Sequence, residues 1–232
     1  AAAPAMTLGQ APSQAPGQAA TATGPGKVWL VGAGPGAADL LTLRAARLLA
    51  RADVVVHDAL IGPDVLALAA PAALRVPVGK RCGQLSAAQR FINKRLIDLA
   101  RQHRCVVRLK GGDPMLFGRA QEEIDALVAA GIDCEVVPGI SSAFAASAAV
   151  MRSLTRRGSS RSVVFLTPRF GEGESAHDWA RPAVAADTAV LYMASREPQQ
   201  IVEGLVAAGV PAGRGAVIVE SASLPGQRLL PT

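Results

Sequence analysis

The stretch VGAGPG at residues 31–36, followed by VVVHD at residues 54–58, decides the fold of this chain. It places a glycine-rich turn after one apolar run and an acidic residue, Asp58, after the next. With the alanine that follows it, the turn matches the G-x-G-x-x-G/A pattern of dinucleotide-binding folds, in which a later carboxylate binds the ribose. Pro35 inside the turn, and a second glycine-rich turn at residues 110–114 (KGGDP), favour a different ligand.

Composition indicates a globular protein. Of the 232 residues 50% are hydrophobic, yet no run approaches the roughly 18 apolar residues of a membrane span. The net charge of +6 favours a polyanionic partner such as nucleic acid, anionic lipid or an acidic small molecule. Aromatic residues make up only 3%, which leaves few platforms for stacking bases. Cys82, Cys105 and Cys134 are widely spaced and the histidines are scattered, so we expect reduced thiols and no metal site.

The pattern of apolar residues predicts an α/β fold with two domains. Residues 1–26 carry no charge and predict a disordered tail, without the basic and apolar regions of a signal peptide. From residue 27, short β-branched runs alternate with amphipathic runs, which predicts a largely parallel sheet in a first domain over residues 27–137. A second, smaller α/β domain is expected over residues 138–232. The predicted strands are 28–31, 54–56, 105–109, 135–137, 162–166, 188–193 and 216–219.

Unusual sequences follow four of the predicted strands. They are residues 32–36, 57–58, 111–113 and 138–142. Each alone is compatible with a tight turn. Because ligands of open α/β sheets bind outside the carboxyl ends of the strands, all four on one sheet edge predict a binding cleft. Glycines there allow a ligand to contact the backbone.

The motifs of this chain follow the order of a known family. GxGPG, GKR, SxxQxxIN, LKGGDP, VPGISS and LTxRG, beginning at residues 32, 79, 86, 109, 137 and 154, resemble those of the tetrapyrrole methylases, over residues 27 to about 223. GKR with SxxQxxIN resembles the branch that methylates uroporphyrinogen III. The resemblance implies two α/β domains with the active site in the cleft between them. It further implies a cytoplasmic homodimer without nucleic-acid or membrane partners.

The resemblance also implies the reaction and the residues that perform it. S-adenosylmethionine would methylate two ring carbons of uroporphyrinogen III, giving precorrin-2 through precorrin-1 for siroheme or cobalamin synthesis and leaving S-adenosylhomocysteine. Asp58 would be the base and Lys80 the acid, while Arg81, Arg156 and Arg157 would bind the carboxylate-rich substrate. The implied cofactor-binding residues are Pro35, Gly111, Gly112, Asp113, Leu116, Ser141, Ser142, Met193 and Ala222.

The chain departs from the family pattern at several positions. Arg156 stands where a histidine is usual, and arginine does not titrate as imidazole does. Ala194 and Ala222 stand where glycines are common, and the chain ends at Thr232, before the family's last helix and strand. Three alternatives therefore stay open: methylation of another precorrin by the same fold, an NAD(P)-dependent oxidoreductase that uses the first turn and Asp58, and a basic RNA-binding module with salt-sensitive affinity.

Overall fold

The computed structural model describes residues 24–79, 85–170, 178–194 and 197–231. The predictions for Lys80, Arg81, Cys82 and residues 1–23 lie outside these described residues. Within the described ranges, no helix is both long and apolar enough to cross a membrane.

A five-stranded parallel sheet forms the first half of the described chain. In chain order its strands are β1 (Lys27–Gly32), β2 (Val54–His57), β3 (Leu74–Pro77), β4 (Cys105–Lys110) and β5 (Cys134–Val137). Their spatial order is β3-β2-β4-β1-β5, and every pair is parallel. The apolar runs predicted β1, β2, β4 and β5. The edge strand β3 was not predicted, because its mostly exposed residues carry no continuous apolar run.

Helices cover both faces of this sheet. They are α1 (Leu43–Leu49), α2 (Pro63–Leu66), α3 (Leu85–Gln102) and α4 (Ala120–Ala129), with a 3-10 turn at Ala38–Leu40. Val54 and Val56 pack toward α3 and α4, whereas Val55 between them packs toward α1 and α2. The alternation arises because successive side chains of a strand point to opposite faces, so the all-valine run supplies both cores.

The second half contains two separate strand pairs. The parallel pair is β6 (Val163–Leu166) with β7 (Thr188–Leu191), and the antiparallel pair is β8 (Val217–Glu220) with β9 (Arg228–Pro231). The helices are α5 (Ser142–Ala149), α6 (Arg181–Ala185) and α7 (Pro198–Ala207). These elements fit the predicted α/β class, while the boundary placed between residues 137 and 138 stays a prediction.

The strand order bears on the dinucleotide alternative. In dinucleotide-binding folds the strand that carries the glycine turn lies beside the strand that ends in the ribose-binding acid. Here β4 lies between β1 and β2, so Asp58 is one strand removed from the glycine turn. A 3-10 turn also separates that glycine turn from α1, which removes the helix N-terminus that would receive a pyrophosphate. The geometry disfavours this alternative.

An aspartate ties the starts of neighbouring strands together in both parallel sheets. Asp53, just before β2, accepts hydrogen bonds from the backbone N–H groups of residues 104–105 at 3.0 and 2.8 Å. Asp187, just before β7, accepts the N–H groups of residues 161–162 at 2.8 and 3.0 Å. Each carboxylate thus fixes the register of its strand against the adjacent strand.

We expect Asp187→Asn to reduce the acid sensitivity of folding. Hydrogen bonds from the Arg161 backbone and from Ser162 hold the pKa of Asp187 below its ordinary value. A carboxyl with a lowered folded pKa stabilises the protein above its unfolded pKa, and this contribution is lost as the pH falls through the folded pKa. Urea unfolding between about pH 6 and about pH 2.5 should therefore show a smaller loss of stability in the variant than in the wild type. Asp64→Asn, at an exposed carboxylate, is the matched control, and equal losses in all three proteins would contradict the expectation.

Candidate functional site

The carboxyl ends of β1, β2, β4 and β5 meet at one edge of the sheet. Since all of these strands are parallel and adjacent, the four unusual segments predicted from sequence come together there. The predicted juxtaposition is confirmed by the topology. This edge is the candidate site.

Glycines allow the backbones at this edge to touch. Gly34 and Gly112 exchange hydrogen bonds, with N···O distances of 2.8 Å from Gly112 and 3.2 Å from Gly34. A Cβ on Gly139 would lie 2.3 Å from the Gly112 oxygen, and one on Gly32 would lie 2.5 Å from the Gly139 nitrogen. Gly112 also has a left-handed φ of +66°. Glycine at position 112 is therefore favoured by its backbone conformation as well as predicted for cofactor binding.

Asp113 joins the loops that follow β4 and β5. Its Oδ1 accepts the Met115 N–H at 2.8 Å, and its Oδ2 accepts the Gly139 N–H at 3.0 Å. Both carboxylate oxygens are thus engaged by backbone donors. Leu116, another predicted cofactor residue, lies half-buried in the same loop and donates its N–H to the Asp113 carbonyl at 3.4 Å.

Tyr192 connects the second half of the chain to the site. Its hydroxyl is hydrogen-bonded to the hydroxyl of buried Ser141 and accepts the Ala143 N–H at 3.3 Å. Its ring centroid lies 5.2 Å from that of Phe117. Next to it, the predicted cofactor residue Met193 is half-exposed and has a φ of +58°. No role was predicted for Tyr192, although the only tyrosine of the chain, at a strand end beside Met193, was a usable signal.

The loop between β8 and β9 packs on the first glycine turn. The Ala37 N–H donates to Ser223 Oγ at 3.1 Å, and a Cβ on Gly36 would lie 2.9 Å from the Leu224 side chain. Ala222 is buried in this loop, which brings it to the same edge as Pro35. Ser221 and Ser223, on either side of Ala222, have positive φ values, but Ala222 itself does not, and neither does Ala194. Alanine in place of the usual glycine therefore causes no backbone strain at either position.

Asp58 belongs to a network of charged side chains. Arg108 Nη2 donates to Asp58 Oδ1 at 2.6 Å, and Arg108 Nε donates to Glu123 Oε1 at 3.0 Å. Lys110 Nζ donates to Glu123 Oε2 at 3.0 Å, and Gln89 Nε2 approaches Glu123 Oε1 at 3.3 Å. Burial, followed by the nearby Arg108 charge, lowers the pKa of Lys110. No role was predicted for Arg108, Lys110 or Glu123. Arg108 and Lys110 lie in the otherwise apolar strand β4 (CVVRLK), and two charges in such a strand indicate a buried ionic network.

The structure does not bring Arg156 and Arg157 to this edge. They lie on an exposed turn in which the backbones of Arg156 and Ser160 pair. Thr188 Oγ1 donates to the Leu154 carbonyl at 2.9 Å, which places this turn at the start of β6 and β7, opposite the end that leads to Met193. Helix α5 lies between Ser141 and this turn in the chain, and its eight residues make it about 12 Å long.

Comparison with known proteins identifies the family. The model of the Tetrapyrrole (Corrin/Porphyrin) Methylases matches residues 27–232. The chain belongs to this family. That confirms the family and the α/β class predicted from the motifs.

Relatives and solved structures of this family cover the same part of the chain. The chain is 45% identical over 203 residues to the uroporphyrinogen-III C-methyltransferase of Pseudomonas aeruginosa, covering 88% of this chain and 82% of that protein. It is 44% identical over 205 residues to the siroheme synthase of Zymomonas mobilis, covering 88% of this chain but 44% of that protein. The chain thus spans less than half the length of this siroheme synthase.

Solved methyltransferases share the fold. The uroporphyrin-III C-methyl transferase of Thermus thermophilus, complexed with S-adenosyl homocysteine, superimposes with a TM-score of 0.78 at 39% identity, covering 89% of this chain and 83% of that one. A cobalt precorrin-4 methyltransferase superimposes with the same TM-score of 0.78 at 28% identity, covering 89% and 84%.

We expect Gly139→Ala to lower the free energy of unfolding by at least about 1–3 kcal/mol, because the new Cβ forces the ends of β4 and β5 apart. Gly213→Ala is the matched control, since a Cβ there has nothing within 4 Å. It should change stability by less than about 0.5 kcal/mol. Urea denaturation measures both variants, and equal stabilities would show that the strand ends separate without cost.

Tyr192→Phe should lower the free energy of unfolding by about 1–3 kcal/mol, because the Ser141 hydroxyl and the Ala143 N–H lose their shared partner. The stability loss of the double variant Tyr192→Phe/Ser141→Ala should be smaller than the sum of the losses of the two single variants, because both substitutions break the same hydrogen bond. Denaturant unfolding of the four proteins provides the cycle. Strict additivity would mean that the two hydroxyl groups act independently.

Proposed function

We propose that this chain is an S-adenosylmethionine-dependent methyltransferase that methylates two ring carbons of uroporphyrinogen III and gives precorrin-2 through precorrin-1. The convergence of four parallel strand ends, with Asp58 and the glycine turns at one edge, carries the proposal. The substrate is supported by the Pseudomonas aeruginosa relative, which bears the name of this activity and is covered over 82% of its length.

The backbone at the site is suited to the cofactor. The N–H and C=O groups of Gly111 have no hydrogen-bond partner among the described residues, and a Cβ there would meet only Leu60, at 3.7 Å. Its backbone is therefore open to the polar groups of a ligand. Met193 and Met115 are half-exposed and provide apolar, polarisable surface. When bound, S-adenosylmethionine supplies a methyl group that its sulfonium charge already activates, and the Thermus thermophilus relative is complexed with the corresponding product.

The proposed cofactor-binding residues divide by the way they act. Gly112 and Asp113 act by shaping the loops, because their own hydrogen-bonding groups are engaged by Gly34, Met115 and Gly139. Direct contacts are left to the other members of the set, which are Pro35, Gly111, Leu116, Ser141, Ser142, Met193 and Ala222.

The protein must align the reacting ring carbon and accept its proton. Alignment of two reactants in a near-attack geometry contributes up to about 7–11 kcal/mol, so a rigid, glycine-packed edge is suited to this task. Asp58 is the proposed base. Its side chain is 30% exposed at the site edge, and its Oδ2 has no hydrogen bond to any described residue. We retain Lys80, outside the described residues, as the proposed acid.

The arginines are proposed to bind the carboxylates of the substrate. The net charge of +6 supports attraction of such a ligand. Because the turn with Arg156 and Arg157 lies across α5 from Ser141, we assign these two arginines to peripheral carboxylates, together with Arg81. Siroheme synthesis is supported by the siroheme synthases among the relatives. A homodimer in the cytoplasm stays a prediction.

Calorimetric titration with S-adenosylhomocysteine tests the cofactor assignment. We expect saturable binding of one molecule per chain, weakened at least about tenfold by Asp113→Ala or Gly112→Val, which disorganise the loops that follow β4 and β5. Gly213→Ala, at an open turn, should bind as the wild type does. Absence of binding by folded wild-type protein would overturn the methyltransferase assignment.

Transfer of radiolabelled methyl groups tests the substrate. The wild type should transfer two labels to each uroporphyrinogen III. Binding of S-adenosylhomocysteine without transfer to this acceptor, but with transfer to another precorrin, would overturn the substrate and leave the class of enzyme standing.

A further inference from the structure

Buried charges link β4 and α4 to the site, and the proposed reaction gives them no role. The side chains of Arg108 and Glu123 are 2% and 0% exposed, and that of Lys110 is 4% exposed. Arg108 uses its Nη2 for Asp58 and its Nε for Glu123, so one guanidinium bridges two carboxylates. The network contains two cations and two carboxylates and is balanced in charge.

Stability alone does not account for this network. Strands of a parallel sheet are covered on both faces, so their side chains are usually apolar. Val106, which lies on the same face of β4 as Arg108, follows this rule. Well-packed hydrophobic residues often stabilise a fold as well as a buried ion pair does. Among the four charged side chains, Asp58 alone is substantially exposed, at 30%, and it lies at the edge where the substrate would bind. The network therefore connects a rigid interior to one reactive position.

We propose that Arg108 is a positioning residue that fixes the orientation of the Asp58 carboxylate, and that buried Glu123 in turn fixes Arg108. The inference rests on the proposed function, in which Asp58 accepts the proton. The guanidinium is planar, so the bond from its Nε to buried Glu123 sets the direction in which its Nη2 meets Asp58, as a point charge cannot. Arg108 leaves Asp58 Oδ2, which has no described partner, to face the substrate.

The charged groups around Asp58 predict unequal effects for substitutions of Arg108 and Glu123. Its described charged neighbours in the network are Arg108 and Lys110 on β4 and Glu123 on α4, and His57 on β2 bonds the Asp58 carbonyl through Nδ1 at 3.1 Å. Without Arg108, Asp58 Oδ1 loses its hydrogen-bond donor and the carboxylate is no longer held in one orientation. Without the Glu123 carboxylate, Arg108 can still contact Asp58 but loses the partner of its Nε.

Steady-state methyl transfer to uroporphyrinogen III tests the inference. Arg108→Gln should lower kcat with little change in KM, because the carboxylate stays in the site but is no longer aligned. Glu123→Gln should lower kcat less, since Arg108 keeps its contact with Asp58. Arg108→Lys keeps the charge without the planar pair of donors, so its kcat should also fall. An unchanged kcat in Arg108→Gln, or a loss that appears in KM alone, would overturn the inference.

A double-mutant cycle separates positioning from a general effect on folding. Arg108→Gln should lower kcat about 100-fold, as displacement of a reacting group does, and Asp58→Asn/Arg108→Gln should be no slower than Asp58→Asn alone. Titration with S-adenosylhomocysteine serves as the folding control, because Arg108 lies outside the proposed cofactor contacts. Multiplicative losses in the cycle would overturn the inference and leave the proposed function intact. Full activity of Asp58→Asn would instead overturn the assignment of the base, and the inference with it.

Discussion

Backbone contact between β1 and its two neighbours, at their carboxyl ends, is the constraint on which the rest of this structure depends. Gly32 and Gly139 approach their neighbours so closely that a Cβ added to Gly139 would lie 2.3 Å from the Gly112 oxygen, and one added to Gly32 would lie 2.5 Å from the Gly139 nitrogen. Protein interiors transmit such displacements because they are densely packed. With the Gly34–Gly112 pair and the Asp113 bridge, this contact holds three loops in one arrangement.

The second half of the chain depends on this edge for its attachment. Tyr192 bonds to Ser141 and Ala143 at the start of α5, and Ser223 receives the Ala37 N–H beside the first glycine turn. The segments that follow β7 and β8 thus contact two different loops at the same edge, those that follow β5 and β1. A ligand held at this edge would contact residues from both halves of the chain.

Charge is distributed unequally between the interior and the surface. The interior holds a balanced group of four charges, of which only Asp58 reaches solvent to a substantial extent. The excess of cations lies outside this group, including the exposed turn with Arg156 and Arg157. In the proposed function the inner charges would orient one carboxylate, whereas the outer ones would attract an anionic ligand. The two groups are separate because a buried charge needs a fixed partner and a surface charge does not.

The sequence by itself determined four of the five strands of the parallel sheet, the edge predicted to bind ligands and the family. Strand periodicity and glycine spacing are local properties, and parallel strands place their carboxyl ends together whatever their order. The motifs located the four segments at that edge, but local patterns do not state which strands are neighbours. Only the tertiary structure shows that β4 lies between β1 and β2 and that Arg108 contacts Asp58, 50 residues away in sequence. It also places Arg156 and Arg157 on a turn at the start of β6. Such contacts depend on packing between distant segments, because the partner of a buried charge is selected by the completed fold.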